Sequence, residues 1–308
     1  MKNNLSFAGI FALAVAMLFI ATGCPDEDPN LNTTFKGAAP YRILSVGASF
    51  TRDAMTYLRD MLIANGVADN DIDIVNGYVG GQTLAKHVIS LKFDMPTYER
   101  QSFGKKGSMS IINNARLSEI IASNNWDYIS IQQGADQAGN LDAYNDEDID
   151  FLLNYVKENC PNPDVIIAFH QTWAYAANTT QSVFNTLYGG NQLSMYNIIM
   201  ETVQDKILPR VNDPEGVFDF IIPSGTAIQN ARTVFGDTLN SDGYHLNDKG
   251  RFIAGAMWLK QIYGKSVNVF DSPYKALNGY TISLEDIGII AQCVQDAFDH
   301  PFQITEQQ

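Results

Sequence analysis

The chain has little of what metal, redox and nucleic-acid chemistry draw on. It holds three cysteines and four histidines among 308 residues. None of them gathers with acidic residues at metal-ligand spacing, so neither a metal nor a cofactor is expected. Basic residues are also scarce: 20 Lys and Arg stand against 34 Asp and Glu, a formal net charge of −14. So acidic a chain repels phosphate backbones, which argues against nucleic acid as a partner, and it does not dock on anionic lipid head groups by charge. Gly80-Gly81 lacks the following lysine of a phosphate-cradling loop. Internal repeats are absent, and the apolar stretch from Phe7 to Ile20 is too short to span a bilayer comfortably.

What is present at the N-terminus reads as an address. Lys2 supplies a basic start, Phe7 to Ile20 an apolar core, and Ala21-Thr22-Gly23 a run of small residues before Cys24. This arrangement resembles a bacterial lipobox, in which the cysteine is acylated and becomes the mature N-terminus. An ordinary cleaved signal with an incidental cysteine is the plainer reading; the cysteine's place directly after the small residues favours lipidation. Residues 1–24 are therefore read as a lipoprotein signal peptide, 25–39 as a flexible tether and 40–308 as the folded domain. The expected location is the outer membrane, on its periplasmic face or at the cell surface. The membrane is then a partner through the anchor at Cys24 alone. Cys160 and Cys293 remain, and in an exported chain they either pair or stay as buried thiols.

With 45% hydrophobic and 18% charged residues the remainder is ordinary globular sequence. Short Ile- and Val-rich runs at Arg42–Val46, Ile72–Val79, Tyr128–Gln132, Val165–Phe169 and Phe218–Ile222 predict strands buried on both faces. Amphipathic stretches predict helices at Phe50–Ala64, Ile111–Ser123, Asp146–Glu158, Ser194–Ile207, Ala227–Thr233, Asn247–Tyr263 and Leu284–Phe298. The alternation predicts an α/β fold with a doubly wound, mostly parallel five-stranded sheet and helices on both faces. Phe93–Ser110 reads as a long loop, and Trp173–Asn191 as a second irregular stretch beside the ligand-binding edge of such a sheet.

Ser49 sits where the first strand gives way to a helix, at the carboxyl edge of the sheet. Alone, such a serine reads first as a helix cap. Near the other end of the domain, Asp242 and His245 lie three apart in a loop before a helix. An imidazole that deprotonates a serine needs a partner on its other nitrogen, and a nearby carboxylate supplies one. The pair closes the array that Ser49 opens, so the three residues together read as nucleophile, base and orienting acid.

These residues resemble the blocks of the SGNH (GDSL-type) hydrolases. Gly47-Ala48-Ser49-Phe50 is similar to their first block, and Asp242-Gly243-Tyr244-His245-Leu246 to their last. The resemblance implies a flavodoxin-like three-layer sandwich and a serine esterase working through an acyl-enzyme. It also implies an oxyanion hole made by Ser49, a glycine after the second strand and a third donor. Gly81 suits the glycine's place. The third block departs from the family: in Gln132-Gln133-Gly134-Ala135-Asp136 an aspartate falls where the family has asparagine. A carboxylate has no proton to donate to an oxyanion, so the role is assigned to Gln133, with Gln132 in reserve.

The resemblance implies an ester substrate, and with the lipoprotein address an acylated carbohydrate undergoing O-deacetylation. Trp173, Tyr175 and His170, following the fourth strand, are candidate substrate contacts; packing under a loop is the competing reading for the aromatics. His170 and His87 also read as hydrogen-bonded structural histidines. Lipase or thioesterase activity remains open, as does a non-catalytic glycan-binding surface lipoprotein on the same fold.

Overall fold

A computed structural model describes residues 39–211 and 218–307. The expected signal peptide with Cys24, and the expected tether up to residue 38, lie outside the described residues. Strands β1 (Tyr41–Gly47), β2 (Ile72–Tyr78), β3 (Tyr98–Phe103), β4 (Met109–Ala115), β5 (Tyr128–Ile131), β6 (Ile166–His170) and β7 (Phe220–Ile222) form one sheet. A two-stranded ribbon, β8 (Tyr274–Lys275) with β9 (Thr281–Ile282), stands apart. The helices are α1 (Ser49–Met55), α2 (Leu58–Ala64), α3 (Leu84–Lys92), α4 (Leu117–Ala122), α5 (Asp146–Asn159) and α6 (Ser182–Tyr188), followed by α7 (Gln192–Lys206), α8 (Leu208–Val211), α9 (Ser224–Phe235), α10 (Asp248–Tyr263) and α11 (Leu284–Asp299).

The sheet order is β4-β3-β2-β1-β5-β6-β7. β2, β1, β5, β6 and β7 run parallel, while β3 and β4 add on antiparallel at one edge. The five parallel strands are the five expected, and the sheet has seven. The two additions correct the reading of Phe93–Ser110 as loop and of Ile111–Ser123 as one helix. Residues 98–103 are β3. The predicted helix divides into the end of β4 and α4. β4 is exposed along its length, with Ile112 59% exposed. A strand under no burial constraint carries no alternating pattern from which it can be recognised. The predicted helix Phe50–Ala64 is likewise two, broken at Thr56–Tyr57. α3 was not expected; Thr83 caps its first turn by accepting from the Lys86 N–H.

The sheet's centre is apolar on both sides, with Ile43, Leu44, Val46, Ile129, Ile131 and Ile167 all buried. α1, α2, α9, α10 and α11 pack with one another, and α3 and α4 pack with α5. The chain leaves β1 towards β2 on one side and returns to β5 on the other. Right-handed crossovers then put the two helix groups on opposite faces. The ends of β1, β2 and β5 form the switch point at which ligands enter such sheets. Cys160 and Cys293 are both free, buried thiols. No helix among the described residues is long and apolar enough to cross a membrane.

Candidate active site

A cavity of about 400 Å³ opens at that switch point. After β1 it is lined by Ala48, Ser49 and Phe50, after β2 by Gly80 and Gly81, and after β5 by Gln132, Ala135 and Asp136. Tyr78, Tyr175, Gln181, Tyr244 and His245 complete the wall. Ser49 and His245, from opposite ends of the domain, thus face one space.

The His245 loop is built tightly. Residues Asn240 and Leu246 pair as an isolated antiparallel bridge, and the Ser241 N–H donates to the His245 carbonyl at 2.9 Å. Gly243 turns the loop with φ +90, and a Cβ there would lie 2.9 Å from the Thr179 Cα, so both conformation and space call for glycine. Asp242 accepts the His245 backbone N–H at 2.8 Å through Oδ1, and its Oδ2 lies 2.6 Å from the His245 Nδ1. With Nδ1 so held, Nε2 is the ring nitrogen left for chemistry in the cavity. Burial would raise the Asp242 carboxyl; the hydrogen bonds from the His245 ring, the His245 N–H and the Tyr244 N–H outweigh it and hold the group below the usual carboxylate range.

The end of β1 is held by a contact that sequence reading did not anticipate. The Thr51 hydroxyl donates to the Gln132 side-chain carbonyl, and this bond passes directly over Gly47. A Cβ on Gly47 would stand 2.2 Å from the Thr51 Oγ1 and 3.2 Å from the Gln132 Oε1. The Gln132 amide nitrogen donates to the Gln133 carbonyl at 3.1 Å, which leaves its second N–H unassigned beside the cavity.

Gln133, the expected third donor, is turned away. Its side-chain carbonyl accepts from the Leu84 and Gly134 N–H groups, at 3.1 and 2.9 Å, and its amide donates to the Ala143 carbonyl at 2.8 Å. It is absent from the cavity wall, while Gln132, the reserve, is part of it. Gly81 lines the cavity with φ +63. Asp136, standing where the asparagine was looked for, lines it too.

Of the three candidate substrate contacts, Tyr175 lines the cavity and the other two are buried and absent from its wall. Trp173 is fully buried, stacked on Phe50 with ring centroids 4.2 Å apart, and donates from Nε1 to the Tyr244 carbonyl at 3.0 Å. It braces the His245 loop from below. His170 is buried with its Nε2 3.0 Å from the Ser224 hydroxyl, and burial pushes its pKa down to about 3. His87 is likewise buried at about 3, with Nδ1 2.7 Å from the Tyr98 hydroxyl. Both are neutral packing groups near neutral pH.

Residues 42–283 match a family model described as a domain of unknown function, DUF4886. The chain belongs to the DUF4886 family. It is similar to the crystal structure of a DUF4886 protein from Bacteroides uniformis, at 32% identity and a TM-score of 0.75, covering 86% of this chain and 97% of that one. An acetylxylan esterase from Geobacillus stearothermophilus overlaps at 16% identity and a TM-score of 0.45, over 76% of this chain and 98% of that one. A protein from Slackia heliotrinireducens classed as an SGNH hydrolase overlaps at 15% identity and a TM-score of 0.44, over 72% of this chain and 98% of that one. Overlap at those two levels transfers no chemistry to this DUF4886 chain. No curated protein matches it.

Proposed function

We propose that this DUF4886 protein is a serine esterase acting through an acyl-enzyme. The observation that carries the reading is that Ser49 and His245 line one cavity while Asp242 holds the far nitrogen of the imidazole. His245 Nε2 takes the proton of the Ser49 hydroxyl as its oxygen attacks the ester carbonyl carbon. The negative charge on the former carbonyl oxygen is met by the N–H groups of Ser49 and Gly81 and by the Gln132 amide, which replaces Gln133 in this role. As the tetrahedral adduct collapses, the imidazolium returns its proton to the departing alcohol. Water then attacks the acyl-serine, again giving its proton to His245, and the acid leaves as Ser49 is reprotonated. Asp242 keeps the imidazole in one tautomer and stabilises its charged form throughout.

The cavity wall favours a polar alcohol. Tyr78, Tyr175, Tyr244, Gln181 and Asp136 offer hydroxyl, amide and carboxylate groups among aromatic faces, a combination suited to a sugar. Removal of an acetyl group from a carbohydrate is the reaction proposed, and lipidation at Cys24 would hold the enzyme on the outer membrane. A fluorophosphonate probe should label the wild-type protein and leave Ser49→Ala unlabelled and inactive on a short-chain chromogenic ester. Activity persisting in Ser49→Ala would overturn the mechanism. Acetate release from acetylated polysaccharides, compared with longer acyl esters, tests the substrate.

A further inference from the structure

Asp53 is the most deeply buried carboxylate near the cavity, 1% exposed, and the chemistry above makes no use of it. It lies four residues after Ser49 in α1, so the two side chains stand one helical turn apart on the same face. Its Oδ2 accepts the Leu246 N–H at 2.9 Å, and its Oδ1 accepts from the Arg251 Nε at 3.0 Å. Leu246 directly follows His245, and Arg251 belongs to α10, which begins two residues later. One carboxylate therefore ties the helix of the candidate nucleophile both to the loop of the candidate base and to the helix that ends that loop.

A carboxylate buried this deeply is costly unless it is paired and hydrogen-bonded. Burial pushes the Asp53 carboxyl up; the Arg251 guanidinium, the Leu246 N–H and, after them, the positive form of His245 oppose that rise. The cost is spent at one place, between the two halves of the site. A neutral apolar side chain would fill the same space in the core, but it would leave the Leu246 N–H without a partner and Arg251 with Asp248 alone, 3.7 Å from its Nη1.

We infer that Asp53 is a positioning residue, which sets the registration of His245 against Ser49. The inference rests on the reading of those two residues as base and nucleophile. It predicts a loss in the chemical step, since the cavity wall that binds substrate is left in place. A displacement of about 1 Å between reacting groups costs on the order of 10²-fold in rate.

Asp53→Asn is the informative substitution, because both partners of Asp53 are donors. An amide has one acceptor oxygen, so its NH₂ group must face either the Leu246 N–H or the Arg251 Nε–H. The expected result on a short-chain ester is a fall in kcat of about 10- to 100-fold with KM within about 2-fold, by the same positional argument. Fluorophosphonate labelling should slow in parallel, and the Leu246 amide should exchange its hydrogen faster. The double variant Asp53→Asn with Arg251→Gln restores an acceptor for the new NH₂ group and frees the amide oxygen for Leu246. It should recover most of the lost kcat, and it serves as the test protein if the single variant does not fold. Labelling and kcat unchanged in Asp53→Asn, or a double variant no better than the single one, would overturn the inference while leaving the esterase reading intact. A wild-type protein inert to the probe would overturn both.

Discussion

Thr51 donates its hydroxyl to the Gln132 side-chain carbonyl, joining the first turn of α1 to the residue that follows β5. The bond fixes which end of the Gln132 amide is available to the cavity. Gln132→Ala should lower kcat on a short-chain ester by about 10²–10³, the usual loss for one oxyanion donor, with a small change in melting temperature. Gln133→Ala should do the reverse, because its three hydrogen bonds support backbone groups of Leu84, Gly134 and Ala143. Measured side by side, kcat and melting temperature separate the two roles; an equal kcat loss in both variants would refute the assignment.

Gly47→Ala would place a methyl group in the path of the Thr51–Gln132 bond. Crowding of this kind costs about 1–3 kcal/mol in a packed interior. The variant should melt lower and lose activity together. Thr51→Ala combined with Gly47→Ala should melt no lower than Gly47→Ala alone, since the obstructed hydrogen bond is then already gone and the hydroxyl that the new methyl would strike is removed. A thermal-shift comparison of the two checks this.

Asp242→Asn should leave the loop folded and remove most of the activity. The loss expected is on the order of 10³–10⁴ in kcat, since an amide no longer enforces the tautomer that leaves Nε2 free to accept a proton. Steady-state kinetics with an intact circular dichroism spectrum is the check. A loss below about 10-fold would argue that another group orients His245.

Acid should destabilise the fold through its two buried histidines. In the folded chain His87 and His170 resist protonation down to about pH 3, whereas in an unfolded chain imidazoles protonate near about 6.5. Between those values the unfolded state binds more protons. The stability these groups allow is therefore complete above about pH 6.5 and falls as the pH drops towards 3, by up to about 1.4 kcal/mol per pH unit for each histidine. Chemical denaturation between pH 7 and 5 should show this slope, and His87→Gln should show a shallower one. Identical slopes would remove His87 from the explanation.

The parallel part of the fold is written in local sequence, because strands buried on both faces must be continuous apolar runs, as at Arg42–Val46 and Tyr128–Ile131. β3 and β4 are not: Arg100, Gln101 and Ser102 pair antiparallel with β4 with little to distinguish them from loop. Ser49, Asp242, His245 and Gly81 were nameable from position along the chain, and all but Asp242 appear in the cavity wall. The choice between Gln132 and Gln133 was not, since neighbouring side chains leaving a strand point to opposite sides and an assignment one residue off reverses the direction. His170 ends the right strand and Trp173 follows it, yet both are buried and neither lines the cavity. Thr51 and Asp53 gave no sign at all, because their partners are 81 and 193 residues away.

That last separation bears on when the site comes into being. A contact closing a loop of 193 residues carries a large ordering cost before it forms, and contacts of this kind belong to the late stages of folding. During synthesis the Ser49 helix emerges early, while the loop that would activate its serine emerges only after every strand of the main sheet. Through most of its time on the ribosome the chain therefore holds Ser49 without His245. If the proposed roles of Ser49 and His245 hold, chemical competence would arrive as a final event of assembly.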